Sequence, residues 1–338
     1  MSRFLGLDLG GTKVAAAILN TPGTADGTAA ELSPPIQHPT ELGSAEALLS
    51  QLTTIVAEAR GGGELDAVGI GVPSVVDFAS GRVVDSVNIP LADVPLREVL
   101  SQRLGVPVFV DNDATVAALA EAHDTDLRMV AQHLVLLTIG TGVGGGLVLN
   151  GRLYRGAFGG AAEVGHTLIG LPVAPAGRRP AGFPADLPED VPAPSGTMPH
   201  PGSLESLASG RALDALTVAA GVGAHGPEAV AAARAGSEAA RRLIRRWAHA
   251  IGVGIANAVN LFDPQEVVIG GGAAAAADLF LEEAVAFAQG YIHPGLRGHA
   301  TVRLARFGAD AGVMGAALLA AHEFHGAPVL VPGPVASR

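Results

Sequence analysis

Cysteine is absent from this 338-residue chain, and its absence excludes several classes of protein. Without thiols the chain can form no disulfide, no cysteine-ligated zinc finger, no thiolate nucleophile and no iron–sulfur cluster. Basic residues are also scarce, since 21 Lys and Arg stand against 32 Asp and Glu and the net charge is −11. Nucleic acids and acidic membranes carry negative charge themselves, so this balance disfavours both. We therefore expect small-molecule ligands, no nucleic-acid partner and no membrane partner.

Signals for export or membrane insertion are lacking as well. Asp8 falls where a secretory signal needs its apolar core, so we expect a cytoplasmic protein. Residues 129–151 contain no Asp, Glu, Lys or Arg, but six of these 23 residues are glycine. Two strands joined by a glycine turn explain that run better than a membrane span. The length suggests about two domains, each large enough to bury a core.

Short apolar runs alternate with helical periodicity in the first half of the chain. Residues 4–9 and 14–20 flank Gly10-Gly11-Thr12-Lys13, which is typical of a strand, a tight glycine turn and a second strand. The other predicted elements are a helix over 45–59 with Ser44 as N-cap, strands over 68–72 and 106–110, and a helix from 114 to about 122. This alternation predicts a mainly parallel, helix-covered sheet.

The second half repeats this arrangement. Residues 133–139 and 147–149 flank the glycine-rich stretch 140–146, a second strand–glycine–strand pattern, although its likeness to the first is too weak to establish duplication. We predict a helix over 237–261, a strand over 266–269 followed by Gly270-Gly271-Gly272, and a closing helix over 311–321. Residues 170–202 are rich in proline and predict a long surface loop.

The two glycine turns are suited to holding phosphate groups. Bare backbone amides can approach phosphate oxygens closely, and neighbouring Thr and Lys side chains add hydrogen bonds and charge. Neither turn has the spacing of a Walker A loop. An ordinary pair of tight β-turns is the alternative. The presence of two such turns, with Asp8 beside the first, favours nucleotide binding.

Several motifs, taken together and in order, resemble the ROK family (repressor, open reading frame, kinase). They are Asp8-Leu9-Gly10-Gly11-Thr12-Lys13, Asp111-Asn112-Asp113-Ala114, the run from Thr138 to Gly146, Glu163-Val164-Gly165-His166, the run from Leu204 to Gly210, Asn260-Leu261-Phe262-Asp263-Pro264, Gly270-Gly271-Gly272 and Gly308-Ala309-Asp310-Ala311-Gly312. The resemblance covers residues 4 to about 322. It implies an α/β, actin-like ATPase (ribonuclease H-like) fold of two domains with a central cleft that takes ATP and a sugar.

The resemblance also implies the domain limits and the activity. We expect an N-terminal domain of residues 1–115 with 308–325, a C-terminal domain of residues 116–307, and a tail of residues 326–338. The implied activity is ATP-dependent phosphorylation of a hexose at its 6-hydroxyl with Mg²⁺, glucose being the first candidate and fructose, mannose or an N-acetylhexosamine the alternatives. We expect a homodimer. A non-catalytic sugar-sensing protein is the other alternative; sugar-responsive repressors of this family carry an N-terminal helix-turn-helix, and only Met1-Ser2-Arg3 precede the first predicted strand.

Matching positions suggest individual roles. Asp113 would be the general base that takes the proton of the attacking hydroxyl, although Asp is also a favoured helix N-cap. The sugar-binding residues implied by the resemblance are Asn88, Asn112, Asp113, Glu163, His166 and Glu205. The nucleotide-binding residues implied are Asp8, Gly10, Gly11, Thr12, Lys13, Gly140, Thr141, Gly142, Gly270 and Gly271, with Asp8 as the carboxylate nearest Mg²⁺.

Two departures from the family pattern affect these expectations. Ser74 and Thr115 replace a usual glycine and a frequent asparagine beside the expected sugar site, which leaves the identity of the hexose open. The family's three zinc-binding cysteines are replaced by Gly196, Met198 and Ser203. We therefore expect no structural zinc, and expect the proline-rich insertion to position His166 by packing. A substitute site from His166, His200 and Asp186 or Glu189 is the alternative.

Overall fold

The computed structural model describes residues 1–22, 30–170 and 196–326. The middle of the predicted proline-rich loop, with Asp186 and Glu189, lies outside the described residues, as does nearly all of the predicted tail. Contacts divide the chain into two compact units, each interrupted in sequence. Unit 1 comprises Met1–Leu136, Gly146–Ala162 and the segment from Arg306, and unit 2 comprises Leu137–Gly145 and Glu163–Ala305.

The predicted domain limits differ from these contact-based units in one main respect. Residues 116–136 and 146–162, which the prediction assigns to the C-terminal domain, belong to unit 1 by their contacts. The predicted division stays a prediction, because contacts define compact units and not independently folding domains.

Strands and helices alternate along the described chain. The strands are β1 (Ser2–Leu9), β2 (Lys13–Thr21), β3 (Glu31–Leu32), β4 (Ile36–Pro39), β5 (Ala67–Val72), β6 (Val75–Asp77), β7 (Arg82–Asp85), β8 (Val108–Asn112), β9 (Leu134–Ile139), β10 (Val143–Leu149), β11 (Arg152–Leu153), β12 (Glu266–Gly270) and β13 (Thr301–Leu304). The helices are α1 (Ala45–Arg60), α2 (Leu96–Leu104), α3 (Asp113–Glu121), α4 (Leu204–Ala208), α5 (Gly210–Ala219), α6 (Gly226–Arg234), α7 (Glu238–Phe262), α8 (Ala277–Ala288) and α9 (Ala311–His325).

The first sheet brings the carboxyl ends of three parallel strands to one edge. Its strand order is β3-β2-β1-β5-β8, and β4 also pairs with β2. β1 runs antiparallel to β2 and parallel to β5, with Asp8 opposite Gly71. β5 runs parallel to β8, with Gly71 opposite Asp111. Ligands of α/β sheets bind at such carboxyl ends, and this register puts the polar residues that follow β1 and β8 only one strand apart.

Helix α9 lies directly against this sheet because glycines remove the side chains that would keep it away. A Cβ atom on Gly6 of β1 would collide with the carbonyl oxygen of Val313, and one on Gly69 of β5 would collide with that of Ala316. The face of β1 thus packs on the backbone of α9. Buried apolar residues of β1, α3 and α9 form one core cluster there, and α1, α2 and the other face of the sheet form a second.

The other large sheet has the same connectivity. Its order is β11-β10-β9-β12-β13, and β12 runs parallel to β13. In each sheet, two later strands extend the sheet beside the first strand of a β-hairpin, β1–β2 in one sheet and β9–β10 in the other. This shared order supports the internal repeat that the sequence indicates only weakly. Among the described residues of unit 2, the 25-residue helix α7 carries the largest buried side chain, Trp247, which packs on Phe280.

The predicted helices and strands are present in the described residues, which also contain elements that the sequence analysis does not predict: β6, β7, β11, β13, α2, α4, α5, α6 and α8. Short strands β3 and β4 occupy residues that the sequence leaves unassigned. β10 begins at Val143, so the last three glycines of the predicted turn 140–146 lie within a strand. The run 129–151 holds β9 and β10, and no helix among the described residues is long and apolar enough to span a membrane.

Candidate active site

The first glycine turn joins β1 to β2 and is fixed by its own backbone and by Thr40. Gly10 N–H donates to the carbonyl of Lys13 at 2.9 Å. The Thr40 hydroxyl donates to the Gly10 carbonyl at 2.7 Å, and Thr40 N–H donates to the Thr12 carbonyl at 3.0 Å. A Cβ on Gly11 would lie 3.4 Å from Asn88, so the structure brings Asn88 beside this turn. Thr12 and Lys13 remain exposed and available to a ligand.

Asp8 lies at the carboxyl end of β1 and faces the first turn of α9. A Cβ on Gly312 would lie 2.5 Å from the Asp8 carboxyl carbon, so only glycine leaves room for the carboxylate. Burial, together with the nearby Asp113 carboxylate, raises the pKa of Asp8 to about 6, although Lys13 acts to lower it. Two carboxylates that lie close together in a poorly solvated place repel each other, and a bound cation would stabilise their charged forms.

Asn112, rather than Asp113, is the N-cap of α3. Asn112 Oδ1 accepts hydrogen bonds from Ala114 N–H at 2.9 Å and from Thr115 N–H at 3.2 Å. Its Nδ2 donates to the carbonyl of Ser74 at 3.3 Å. Asp113 is the first helical residue, and its Oδ1 accepts from Ala114 N–H at 2.7 Å. The N-cap alternative for Asp113 is therefore wrong, although its carboxylate does contact the first turn.

The two departures from the family pattern both contact Asn112. Ser74 is buried, supplies the carbonyl that accepts from Nδ2, and holds its own hydroxyl 2.9 Å from that of Ser86. Thr115 is buried and supplies one of the capped N–H groups. Within the described chain, Asn112 keeps only its second Nδ2 hydrogen for a ligand. Asn112 can thus donate to one hydroxyl oxygen, and cannot serve as a free acceptor.

In unit 2, Glu205 lies against the second glycine turn. Its Oε2 accepts from Val143 N–H at 2.8 Å, and a Cβ on Gly142 would lie 2.5 Å from the same oxygen. Ser203 caps α4 by accepting from Ser206 N–H, which sets Glu205 in the first turn of that helix. Oε2 of Glu205 therefore stabilises the turn. Its Oε1 accepts no hydrogen bond from the described residues.

In the same unit, Glu163 immediately precedes the 3-10 turn Val164–His166, and His166 ends it. Their side chains approach within 3.7 Å, Nε2 to Oε2, and both are partly exposed. A Cβ on Gly165 would collide with the carbonyl of Val143, so this turn packs on the start of β10. Leu204 N–H donates to the Thr167 carbonyl at 2.8 Å. Unit 2 thus brings Glu163, His166 and Glu205 close to Val143, and their role in sugar binding stays a prediction.

A pocket of about 650 Å³ lies beside Gly140 and Thr141 of the second glycine turn. Gly210 N–H donates to the Gly140 carbonyl at 2.7 Å, and a Cβ on Gly271 would collide with the carbonyl of Ile139. The pocket lining includes Gly140, Thr141, Gly272, Arg211, Asp214 and Pro227. Of the predicted nucleotide residues in unit 2, Gly140 and Thr141 line it directly.

Arg211, Asp214 and Pro227 are pocket residues that the sequence does not indicate. They come from α5 and the start of α6, which carry no phosphate-binding motif of their own. Asp214 Oδ1 accepts from Gly226 N–H at 2.6 Å and so joins the two helices at the pocket wall. Arg211, exposed at the start of α5 directly after Gly210, adds a positive charge to the lining.

The positions of the family's zinc-binding cysteines hold no metal site in the described residues. Gly196 has a positive φ, Met198 is 80% exposed, and Ser203 caps α4. No group of three or more His, Asp or Glu side chains could hold a metal ion within the described ranges. The absence of structural zinc stays a prediction, as does the packing role of the proline-rich insertion.

Comparisons with known proteins show the family and the fold of the chain. The ROK family profile matches residues 4–323. Glucokinase from Halalkalibacterium halodurans is 32% identical over 92% of this chain and 93% of its own length. N-acetylmannosamine kinase from Pasteurella multocida is 32% identical over 93% of this chain and 95% of its own length. The structure of a ROK glucokinase from Streptomyces griseus with glucose and AMPPNP superposes with a TM-score of 0.69, at 30% identity, covering 95% of this chain and 100% of that one. The fold is therefore the actin-like ATPase fold that the sequence predicts.

Proposed function

Because this chain belongs to the ROK family, we propose that it transfers the γ-phosphoryl group of ATP to the 6-hydroxyl of a hexose, with glucose as the first candidate. The observation that carries the proposal is the pair of carboxylates, Asp8 and Asp113, at the carboxyl ends of β1 and β8, the two strands that flank β5 in unit 1. The similarity to a glucokinase solved with glucose and AMPPNP supports the same pair of substrates.

Asp113 is the general base of the proposed reaction. Its carboxylate accepts the proton of the sugar hydroxyl as that oxygen attacks the γ-phosphorus. The new bond joins the sugar oxygen to phosphorus, the bond from phosphorus to the β–γ bridging oxygen breaks, and ADP leaves with that electron pair. Asp113 can take this role because Asn112 provides the N-cap of α3, and because the helix N-terminus stabilises a carboxylate in the first turn.

Glu163, His166 and Glu205 are proposed to bind the sugar hydroxyls. Carboxylate oxygens accept hydrogen bonds from sugar hydroxyls, and an imidazole can donate one and accept one. A polar site of this kind discriminates strongly against analogues that lack the hydroxyls. Asn112 adds a single donor, and Asn88 lies beside the first glycine turn. The similarity to an N-acetylmannosamine kinase, with the changes at Ser74 and Thr115, keeps an N-acetylhexosamine as the second candidate.

The nucleotide is proposed to use both glycine turns and the 650 Å³ pocket. The backbone amides and exposed side chains of Thr12, Lys13 and Thr141 suit the phosphates. Gly270 and Gly271 are proposed to lie at the adenine end, where Gly271 packs on the Ile139 carbonyl and the next residue, Gly272, lines the pocket. Mg²⁺ bound with the phosphates would neutralise part of their charge, and Asp8 fits as the carboxylate that accepts from its water molecules. The expectations of a homodimer and of a cytoplasmic location stay predictions.

A coupled assay for ADP release tests the proposal. Purified protein is given ATP, Mg²⁺ and, in turn, glucose, mannose, fructose, N-acetylglucosamine and N-acetylmannosamine, and we expect the highest kcat/KM with glucose. Asp113→Asn should lose on the order of 10²–10⁴ in kcat, the usual contribution of a positioned base, and should keep its melting temperature because the cap is Asn112.

Asp126→Asn, which changes an exposed carboxylate of the same unit, is the matched control and should keep the parental rate. Turnover of none of the five sugars by the parent protein would contradict the proposed function. A near-parental rate in Asp113→Asn would contradict the assignment of the base alone.

A further inference from the structure

Arg155 joins four segments of unit 1 that are far apart in sequence. Its side chain is 17% exposed, Nε donates to Asp111 Oδ2 at 2.6 Å, and Nη2 donates to Glu323 Oε1 at 2.9 Å. The guanidinium carbon lies 3.5 Å from the ring centroid of Phe78. One planar group thus contacts the end of β8, the last turn of α9 and the turn between β6 and β7.

Asp111, which Arg155 holds, immediately precedes the proposed sugar donor and base. The Asp111 side chain is 5% exposed, and its Oδ1 accepts from Asn112 N–H at 2.9 Å. Burial raises the pKa of Asp111, and Arg155 opposes that rise. Because a buried carboxylate needs a partner of opposite charge, the guanidinium group determines how the last residues of β8 are placed.

The backbone of Arg155 also begins the loop that ends at Glu163. The Arg155 carbonyl accepts from Ala161 N–H at 3.1 Å, which closes the loop 155–161 on itself. A Cβ on Gly159 would collide with the carbonyl of Val76 in β6, so this loop is seated on the same β-hairpin that carries Phe78. The side chain of Arg155 therefore holds the segment that leads into Asn112 and Asp113, and its backbone closes the loop 155–161.

We propose that Arg155 is a positioning residue for phosphoryl transfer, which holds the Asn112–Asp113 backbone in register through Asp111. The inference rests on the proposed function. Arginine suits this task because its rigid fork donates in two directions at once and its flat face stacks on an aromatic ring, whereas lysine offers a point charge on a flexible stem. An ion pair that serves stability alone is the competing explanation.

The first test is Arg155→Lys with Arg152→Lys as matched control. Arg152 precedes it by three residues, is exposed, and has no ion pair within the described chain. We expect kcat of Arg155→Lys to fall between about tenfold and a hundredfold, as small misplacements of catalytic groups do, while KM for hexose and for ATP stays within about threefold. The control should match the parent in all three constants.

The second test separates positioning from stability. Arg155→Met leaves Asp111 buried without its partner and should lower the melting temperature, and Asp111→Asn added to it removes that charge and should restore much of the loss. We expect the double variant to remain slow in kcat despite its regained stability. Amide hydrogen exchange of the peptide containing Ala114 and Thr115 should be faster than in the parent, a readout that needs no activity.

Recovery of parental kcat with recovered stability would overturn the positioning role, as would an Arg155→Lys variant with parental kcat. Unchanged exchange at Ala114 and Thr115 in the double variant would overturn it as well. If the parent protein phosphorylates none of the sugars, the proposed function fails, and this inference fails with it. Normal turnover by the parent together with any of the other results overturns this inference alone.

Discussion

Replacing Asp8 with asparagine should make the metal-free protein more stable at neutral and alkaline pH. The side chain keeps its shape, but the charge that is poorly solvated beneath Gly312 and close to Asp113 disappears. Replacing a functional group that destabilises the folded state commonly raises the free energy of unfolding. The same change should lower kcat, because the carboxylate proposed to accept from Mg²⁺-bound water is lost.

The magnitude follows from the pKa of Asp8, which rises from 3.8 to about 6 on folding. One pKa unit corresponds to about 1.36 kcal/mol, so the ionised group disfavours the folded state by up to about 3 kcal/mol above pH 6. The N-terminus of α9 favours a carboxylate by roughly 0.3–1 kcal/mol, which offsets part of this. We expect Asp8→Asn to gain about 2 kcal/mol of unfolding free energy at pH 8.

The sign of the pH dependence is fixed by the direction of the shift. A raised carboxyl pKa means that the folded state holds the proton up to about pH 6, whereas the unfolded chain releases it near its ordinary value. The advantage of Asp8→Asn should therefore be complete above pH 6, fall to about a third at pH 4.5, and vanish at more acidic pH. Effects of acid on groups that do not interact with Asp8 cancel in the difference between the two proteins.

Urea unfolding followed by circular dichroism, in EDTA at pH 8 and at pH 4.5, measures this difference. Asp126→Asn is the control, since its exposed carboxylate contributes little either way, and it should match the parent at both pH values. A gain for Asp8→Asn that is equal at pH 8 and pH 4.5 would refute the electrostatic reasoning. A loss of stability at pH 8 would show that the Asp8 carboxylate is stabilised in the folded protein.

Two further predictions concern unit 2. Glu205→Gln should raise KM for the hexose at least as much as it lowers kcat, because an amide oxygen can still accept from Val143 N–H while the charge offered to the sugar is lost; steady-state kinetics in the ADP-release assay decides, and a change confined to kcat would contradict the sugar-binding role. Elemental analysis after dialysis without chelator should find no stoichiometric zinc; bound zinc whose removal abolishes activity would show that the chain uses ligands other than cysteine.

The elements that were predictable from the sequence are those with strong local patterns. Helix α1 shows its apolar residues at helical spacing, and Ser44 accepts from Ala47 N–H as the N-cap. Strands β3 and β4 give no such signal, because they are short, largely exposed and paired with β2 from outside its hairpin. These two strands form by pairing with β2, which offers its free edge only once the sheet has folded.

The glycine run before β10 shows how tertiary contacts override a local pattern. Consecutive glycines predict a turn, but Gly146 lies within the strand. A Cβ there would lie 2.6 Å from the Ala114 carbonyl oxygen and 2.6 Å from the Ala118 Cβ, so glycine allows α3 to pack directly on β10. Arg211 and Asp214 were missed for a related reason, since they join the pocket only through the packing of α5 and α6.

The triplet Asp111-Asn112-Asp113 shows most clearly what local sequence cannot assign. All three residues are polar and all can cap a helix, yet Asp111 is buried against Arg155, Asn112 caps α3, and Asp113 is the first residue of that helix. The decisive partners, Arg155 and the Ser74 carbonyl, lie 44 and 38 residues away. The same triplet placed after another strand, without these two partners, should lose this division of roles among its three residues.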